Sequence, residues 1–118
     1  MQKVNEGEFQ FRHGDSGPKY LFRGPNIDWG VLVLLPGESL GLHHHDKVEE
    51  TFYFLQGSSK VYVNGQEYGA KAGDAFRMEA QDKHDIVNDT EGPVKMVFIK
   101  YPYLPKDKVD DARGSGKY

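Results

Sequence analysis

The chain has 118 residues, the size of a single domain with one hydrophobic core. Its 15 Lys and Arg residues against 18 Asp and Glu residues give a net charge of −3 without a basic stripe, which argues against a nucleic-acid partner. The absence of cysteine excludes disulfides, thiolate metal ligands and a cysteine nucleophile, so any bound metal must be held by nitrogen and oxygen.

The sequence contains no candidate for a membrane-spanning segment. Its longest apolar run, Val31 to Leu35, is strand-sized, whereas roughly 20 apolar residues are needed to cross a bilayer. The amino terminus, MQKVNEGEF, lacks the apolar core of a signal peptide. We therefore expect a cytoplasmic protein without a membrane partner.

Turn signals recur about every eight to twelve residues with almost no helical periodicity between them, which indicates an all-β sandwich or barrel. We expect residues 1–29 to form an amino-terminal arm with edge strands, residues 30–101 the barrel core, and residues 102–118 a charged tail with a mobile end. Asn64-Gly65 is a strong hairpin signal. The predicted strands are Tyr20 to Arg23, Trp29 to Leu35, Glu50 to Leu55, Lys60 to Val63, Gln66 to Tyr68, Ala75 to Met78, His84 to Asn88 and Val94 to Tyr101.

The segment 37–57 holds three consecutive histidines followed within a few residues by glutamate. Imidazole nitrogen and carboxylate oxygen are ligands that suit divalent transition metals. Because side chains alternate along a strand, His43 and His45 point to one face and His44 to the other. Glu50 could return to the face of the first pair after a turn. Taken alone, this stretch could also be a solvated polar turn.

Two spacings together resemble the signature of the cupin superfamily, G-x5-H-x-H-x3,4-E-x6-G followed by G-x5-P-x-G-x2-H-x3-N. The first motif is matched at every defined position, and the second keeps Gly73, His84 and Asn88 at the family spacing. Glu79 and Gln81 replace the usual proline and glycine. These two positions shape a turn and bind no metal, so the ligand assignment is unaffected, while the geometry of the connection 79–83 is left open.

The resemblance implies a double-stranded β-helix, a jelly-roll β-barrel, with a metal inside and frequently a homodimer. The cofactor would be a divalent transition metal (Mn, Fe, Ni, Zn or Cu), and the partner would be a small molecule. His44 would lie outside the barrel or at a dimer contact, unless a change of register brings it into the site. Carried over position by position, the metal ligands would be His43, His45, Glu50 and His84.

Four further side chains are candidates for the pocket lining. Phe52 and Phe54 share the face of Glu50, and Phe98 could face the metal, with simple core packing as the alternative for each. Arg77 has the opposite parity to its apolar neighbours, so it faces either the pocket or solvent.

The fold does not determine the reaction. We expect a metalloenzyme that acts on a small sugar, sugar phosphate or carboxylate by isomerisation or related Lewis-acid chemistry, with Glu50 or Glu49 as the catalytic base. One alternative is an iron- or manganese-dependent dioxygenase or an oxalate-type decarboxylase. Another is a non-catalytic, metal-stabilised module that binds a small molecule.

Overall fold

A computed structural model of the chain describes residues 1–111. These residues form one 3-10 helix, Glu6–Glu8, and ten strands. The strands are β1 (Gly17–Arg23), β2 (Asp28–Leu34), β3 (His43–His45), β4 (Glu49–Gln56), β5 (Ser58–Val63), β6 (Gln66–Lys71), β7 (Ala75–Met78), β8 (His84–Val87), β9 (Val94–Tyr101) and β10 (Lys108–Asp110).

The strands form two five-stranded sheets in which every neighbouring pair is antiparallel. The first sheet has the order β1-β2-β9-β4-β7, and the second has the order β10-β3-β8-β5-β6. Strands that are consecutive in the chain often lie in different sheets, as in a jelly roll. The all-β prediction is confirmed. Among residues 1–111, no helix is long and apolar enough to cross a membrane.

The core consists of apolar side chains from both sheets. Along β4 the buried residues alternate with more exposed ones, so Phe52 and Phe54 face inward while Tyr53 and Leu55 face outward. The same alternation on β9 buries Met96 and Phe98. The buried core cluster comprises Leu32, Leu34, Phe52, Phe54, Val61, Ala70, Met78, Ile86, Val94, Met96 and Phe98.

Several predicted elements occur with the expected bounds. Strands β7 and β9 span the predicted residues, and Asn64-Gly65 connects β5 to β6 with φ values of 49° and 85°. Positive φ at both central residues is the requirement of the two-residue hairpin turn that this dipeptide favours.

Strand β10 was not predicted, and it lies within the segment interpreted as a tail. It pairs with β3, placing Val109 opposite His44. Its three residues are all exposed, and a segment of three residues is too short for an alternation of apolar and polar side chains to indicate a strand. Residues 102–111 therefore belong to the folded barrel, while residues 112–118, for which a mobile end was predicted, lie outside the described residues.

Candidate metal centre

Three strands bring four side chains that could bind a metal together inside the barrel. Strand β3 supplies His43 and His45, β4 supplies Glu50 and β8 supplies His84, and all four are buried. His43 and His84 are direct partners in the antiparallel pairing of β3 with β8. One potential ligand atom from each residue lies within 4.8 Å of the others.

The three imidazoles converge on one oxygen of Glu50. The distance from Glu50 Oε1 is 3.1 Å to His45 Nε2, 3.4 Å to His84 Nε2 and 3.8 Å to His43 Nε2. Burial raises the pKa of Glu50, but contact with the three imidazoles, helped by the positive charge of Lys100, holds that pKa well below 4.5. Glu50 is therefore a carboxylate at neutral pH.

The backbone fixes the orientation of two of these histidines. His43 Nδ1 lies 2.8 Å from the carbonyl oxygen of Gly41, and His84 Nδ1 lies 2.8 Å from that of Asp82. A carbonyl can only accept, so each Nδ1 carries the hydrogen. In a neutral ring the lone pair is then on Nε2, which points to the centre of the cluster. Metal-binding histidines are commonly held in this way.

The donor set fits a divalent transition metal. Three nitrogens and one carboxylate oxygen form a partial shell, and such a shell leaves coordination positions for another molecule. The fit rests on the convergence of Nε2 atoms and on the ionised Glu50, both of which are features of the protein alone.

The connection before His84 is held by hydrogen bonds from the two residues that differ from the family motif. Gln81 has a φ of 78°, the left-handed conformation that the family glycine would adopt readily. Its backbone N–H donates to His45 O at 2.7 Å, and its side-chain Nε2 donates to Asp46 O at 3.1 Å. The Glu79 N–H, which proline would lack, donates to Asp82 Oδ2 at 2.9 Å. These hydrogen bonds hold the turn in place.

A cavity of about 510 Å³ opens onto this cluster. Its wall includes His43, His45 and Glu50 at the cluster. Apolar side chains, with Phe52 and Phe98 the largest, form another part of the wall. The polar side chains farther along β1, β2 and β9 are Tyr20, Arg23, Asp28 and Lys100.

The remaining predicted site residues are divided by the structure. Phe52 and Phe98 line the cavity. The prediction was wrong for Phe54, which is buried in the core and stacks edge-on against Phe76 at 6.0 Å between ring centroids. It was also wrong for Arg77, which is exposed on β7. Phe54 therefore takes the alternative role of core packing, and Arg77 takes the alternative position facing solvent.

Glu49, predicted as an alternative catalytic base, is also outside the cavity wall. It precedes Glu50 on β4, and successive side chains of a strand point to opposite faces. Of the two carboxylates, only Glu50 lines the cavity.

His44 faces away from the other histidines. Its Nδ1 lies 2.9 Å from Asp111 Oδ2, and its Nε2 lies 3.5 Å from Asp46 Oδ1. It is not part of the four-residue cluster. The parity argument placed it correctly, and its contact is with the segment that follows β10.

Sequence reasoning missed several polar residues of the wall, of which Tyr20 and Lys100 are in direct contact. Lys100 shares the inward face of β9 with Met96 and Phe98, so alternation alone could have identified it. Tyr20 faces Phe98 with an interplanar angle of 80° and 5.0 Å between ring centroids. Its partner in the β1–β2 register is Gly30, which has no side chain to fill this space.

The family model for the cupin domain matches residues 30–100, more than half of the chain. The chain belongs to the cupin family. The barrel is similar to a double-stranded β-helix protein from Klebsiella pneumoniae, with a TM-score of 0.82 and 17% identity over 96% of this chain and 99% of that one. At this identity the similarity establishes the fold alone.

Two relatives carry functional names. The chain is 31% identical to the tetracenomycin polyketide synthase protein TcmJ of Streptomyces glaucescens over 68% of this chain and 54% of that protein. It is 38% identical to an oxalate-binding protein of Thermotoga maritima over 48% of this chain and 47% of that protein. This cupin thus spans about half the length of these relatives.

Proposed function

We propose that this cupin is a metalloenzyme that binds one divalent transition-metal ion through His43, His45, Glu50 and His84. It acts on a small oxygen-rich molecule by isomerisation or related Lewis-acid chemistry. The observation that carries this proposal is the convergence of four buried ligand groups, three of which line a cavity of about 510 Å³.

The protein side of the site is suited to this task. A bound metal would act as a Lewis acid toward a carbonyl or hydroxyl oxygen of the ligand. The three imidazoles add no charge when neutral, so the single carboxylate of Glu50 leaves a divalent centre with a net positive charge that favours an anionic ligand. Phe52 and Phe98 exclude water from part of the wall, which strengthens electrostatic interactions inside the cavity.

Glu50 is the candidate proton carrier within the cavity, because Glu49 does not line it. The three imidazoles hold the pKa of Glu50 low against the effect of burial. A carboxylate with a low pKa is suited to binding a metal and is a weak base. The similarity to the oxalate-binding protein of Thermotoga maritima supports a carboxylate as the class of ligand.

Elemental analysis of protein purified without added metal tests the site. We expect about one transition-metal ion per chain in the wild type and its loss in His84→Ala, with His13→Ala as a control outside the cluster. Purified wild-type protein that neither contains nor takes up manganese, iron, nickel, zinc or copper would refute the proposal. The identity of the ion then selects the substrates to be screened.

A non-catalytic binding module is the second candidate. It is favoured by one observation: the carboxylate nearest the centre, Glu50, belongs to the ligand set itself. Under this reading a carboxylate ligand binds to metal-loaded protein and is recovered unchanged after prolonged incubation. Any conversion of the ligand, with or without consumption of dioxygen, would instead show that the protein is an enzyme.

We also propose a homodimer formed through the outer face of the first sheet. Tyr53, Ile99 and Tyr101 are exposed there on the neighbouring strands β4 and β9. An exposed apolar patch of this kind is typical of an interaction surface. Sedimentation analysis of the wild type beside Ile99→Lys tests it, and a monomeric wild type would contradict it.

A further inference from the structure

We propose that Lys100 and Tyr20 form an anion-binding subsite that takes the carboxylate of a small ligand whose second oxygen faces the four-residue cluster. This inference rests on the proposed function, because it assigns the ligand class of the same cavity. The ligand it describes is a short 2-hydroxy or 2-oxo carboxylate, and a neutral sugar does not satisfy it.

The charge along the cavity wall favours an anion even before a metal is considered. Its lining includes four Lys or Arg side chains and three carboxylates, one of which is Glu50 of the candidate metal centre. The four cations are Arg12, Arg23, Lys100 and Lys108.

Lys100 is the cation placed nearest the centre by strand pairing. It lies opposite Glu50 in the register of β9 with β4, and cross-strand partners have Cα atoms about 4.5–5.5 Å apart. Its side chain is half-buried, and Nζ lies 5.3 Å from the ring centroid of Tyr20 and 5.6 Å from that of Phe98. Within residues 1–111, it forms no ion pair with a carboxylate within 4.0 Å.

The carboxylate of Asp28, which shares the cavity wall, is already engaged. Asp28 is buried and receives hydrogen bonds from Arg23 Nε and Nη2, both at 3.2 Å. This bidentate pair engages both oxygens of Asp28, so Asp28 is not the counter-ion of Lys100. Lys100 keeps its hydrogen bond to Tyr20, its contacts with two aromatic rings and a longer-range attraction to Glu50, so an anionic ligand can still gain a close charge pair there.

Tyr20 supplies a second donor beside the ammonium. Lys100 Nζ donates to Tyr20 Oη at 2.9 Å, so the hydroxyl hydrogen of Tyr20 points elsewhere and is free to be donated. The ring is held in place by the Arg23 guanidinium, whose central carbon lies 4.0 Å from its centroid, and by the edge contact with Phe98. Lys100 has two further N–H donors. Together the two side chains can engage a carboxylate with charge-assisted hydrogen bonds.

Calorimetric titration of cobalt-loaded protein with glycolate and with its neutral amide, glycolamide, tests the subsite. Both probes offer a hydroxyl oxygen to the centre, and only glycolate carries the anion. We expect Lys100→Met to weaken glycolate binding at least about tenfold and to leave glycolamide binding nearly unchanged. Lys100→Arg should retain most of the preference, and Tyr20→Phe should weaken glycolate binding severalfold. Lys71→Met, at an exposed position of β6, serves as the control.

The result separates the subsite from the metal proposal. Unchanged glycolate affinity in a Lys100→Met protein that retains its cobalt overturns the subsite while leaving the metal centre intact. If the wild type binds no metal, the proposed function fails, and the subsite is then judged on metal-free protein. If metal-free wild type binds glycolate and metal-free Lys100→Met does not, the subsite is still supported. If metal-free wild type does not bind glycolate, the subsite is refuted. If Lys100→Met does not fold, the glycolate affinities of Lys100→Arg and Tyr20→Phe, compared with that of the wild type, test the subsite instead.

Discussion

Asn64 of the β5–β6 turn donates a hydrogen bond from Nδ2 to Asp82 Oδ1 at 3.0 Å and so ties the hairpin to the turn that carries His84. Asn64 Oδ1 accepts from the backbone N–H of Lys83 at 2.9 Å, and the Asn64 N–H donates to Lys83 O at 2.7 Å. The carbonyl of Asp82 in turn accepts from His84 Nδ1 at 2.8 Å. A surface asparagine thus positions a buried imidazole.

The first prediction concerns this link. Asn64→Gly keeps the positive φ and loses the side-chain hydrogen bonds, so metal affinity should fall about tenfold, as for other partners of metal-binding histidines. Asn64→Ala loses the same bonds. Its free energy of unfolding should be about 1 kcal/mol lower than that of Asn64→Gly, because alanine tolerates a φ of 49° poorly. Metal titration and urea unfolding of both variants measure the two effects. Equal metal affinity in the wild type and in Asn64→Gly would disprove the link.

The second prediction uses the histidine that faces away from the cluster. His44→Ala should retain full metal content, whereas His45→Ala on the same strand should lose it. The contact of His44 with Asp111 contributes about 1 kcal/mol or less, because it is only partly buried. Hydrogen exchange of residues 108–111 should become faster in His44→Ala. Loss of metal in this variant would mean that His44 belongs to the site.

The third prediction concerns pH and Asp107. Burial raises its pKa, but hydrogen bonds from the backbone N–H groups of Lys47 and Val48, at 2.8 and 2.9 Å, outweigh this and hold the pKa below 3.8. A carboxyl whose pKa is lower in the folded state stabilises the protein above its unfolded pKa. That stabilisation is lost as the pH falls through the folded value.

Asp107→Asn should therefore lose less stability than the wild type on acidification below pH 3.8. The difference should be no more than about 1 kcal/mol, because Asp107 is only partly buried. Unfolding curves at a series of pH values measure it, with Asp110→Asn on exposed β10 as the comparison. Identical acid profiles for wild type and Asp107→Asn would show that this carboxylate does not stabilise the loop between His45 and Glu50.

The fourth prediction concerns the close approach of β1 to β2. A Cβ at Gly30 would lie 2.0 Å from Lys19 O and 2.8 Å from Tyr20 Cα, so Gly30→Ala forces β1 to move. We expect a loss of about 1–3 kcal/mol in the free energy of unfolding. Gly69→Ala is the matched control, since its Cβ meets nothing within 4 Å. Gly30→Ala should also weaken glycolate binding, because Tyr20 shifts with β1. Equal stability of the two variants would contradict the contact.

The sequence by itself determined most of the barrel and the four-residue cluster. Alternation along a strand decides which side chains share a face, so His43 and His45 could be separated from His44 without a structure. The Asn64-Gly65 turn was predictable because two positive φ values demand such residues. That Glu50 and His84 join them was implied by the resemblance of the two motifs to the cupin signature.

Only the tertiary structure decided what depends on contacts between segments distant in the chain. Parity puts Phe52 and Phe54 on the same face of β4, and only the packing of the sheets showed that Phe52 lines the cavity while Phe54 is buried in the core. The same packing leaves Arg77 exposed. The pairing of β10 with β3 depends on backbone hydrogen bonds, which any sequence can form, so no local pattern indicated it. Gln81 takes the place of glycine because His45 and Asp46 supply hydrogen bonds from another turn. Local preference limits the conformations of a segment, and the remaining choice is made by the segments that pack against it.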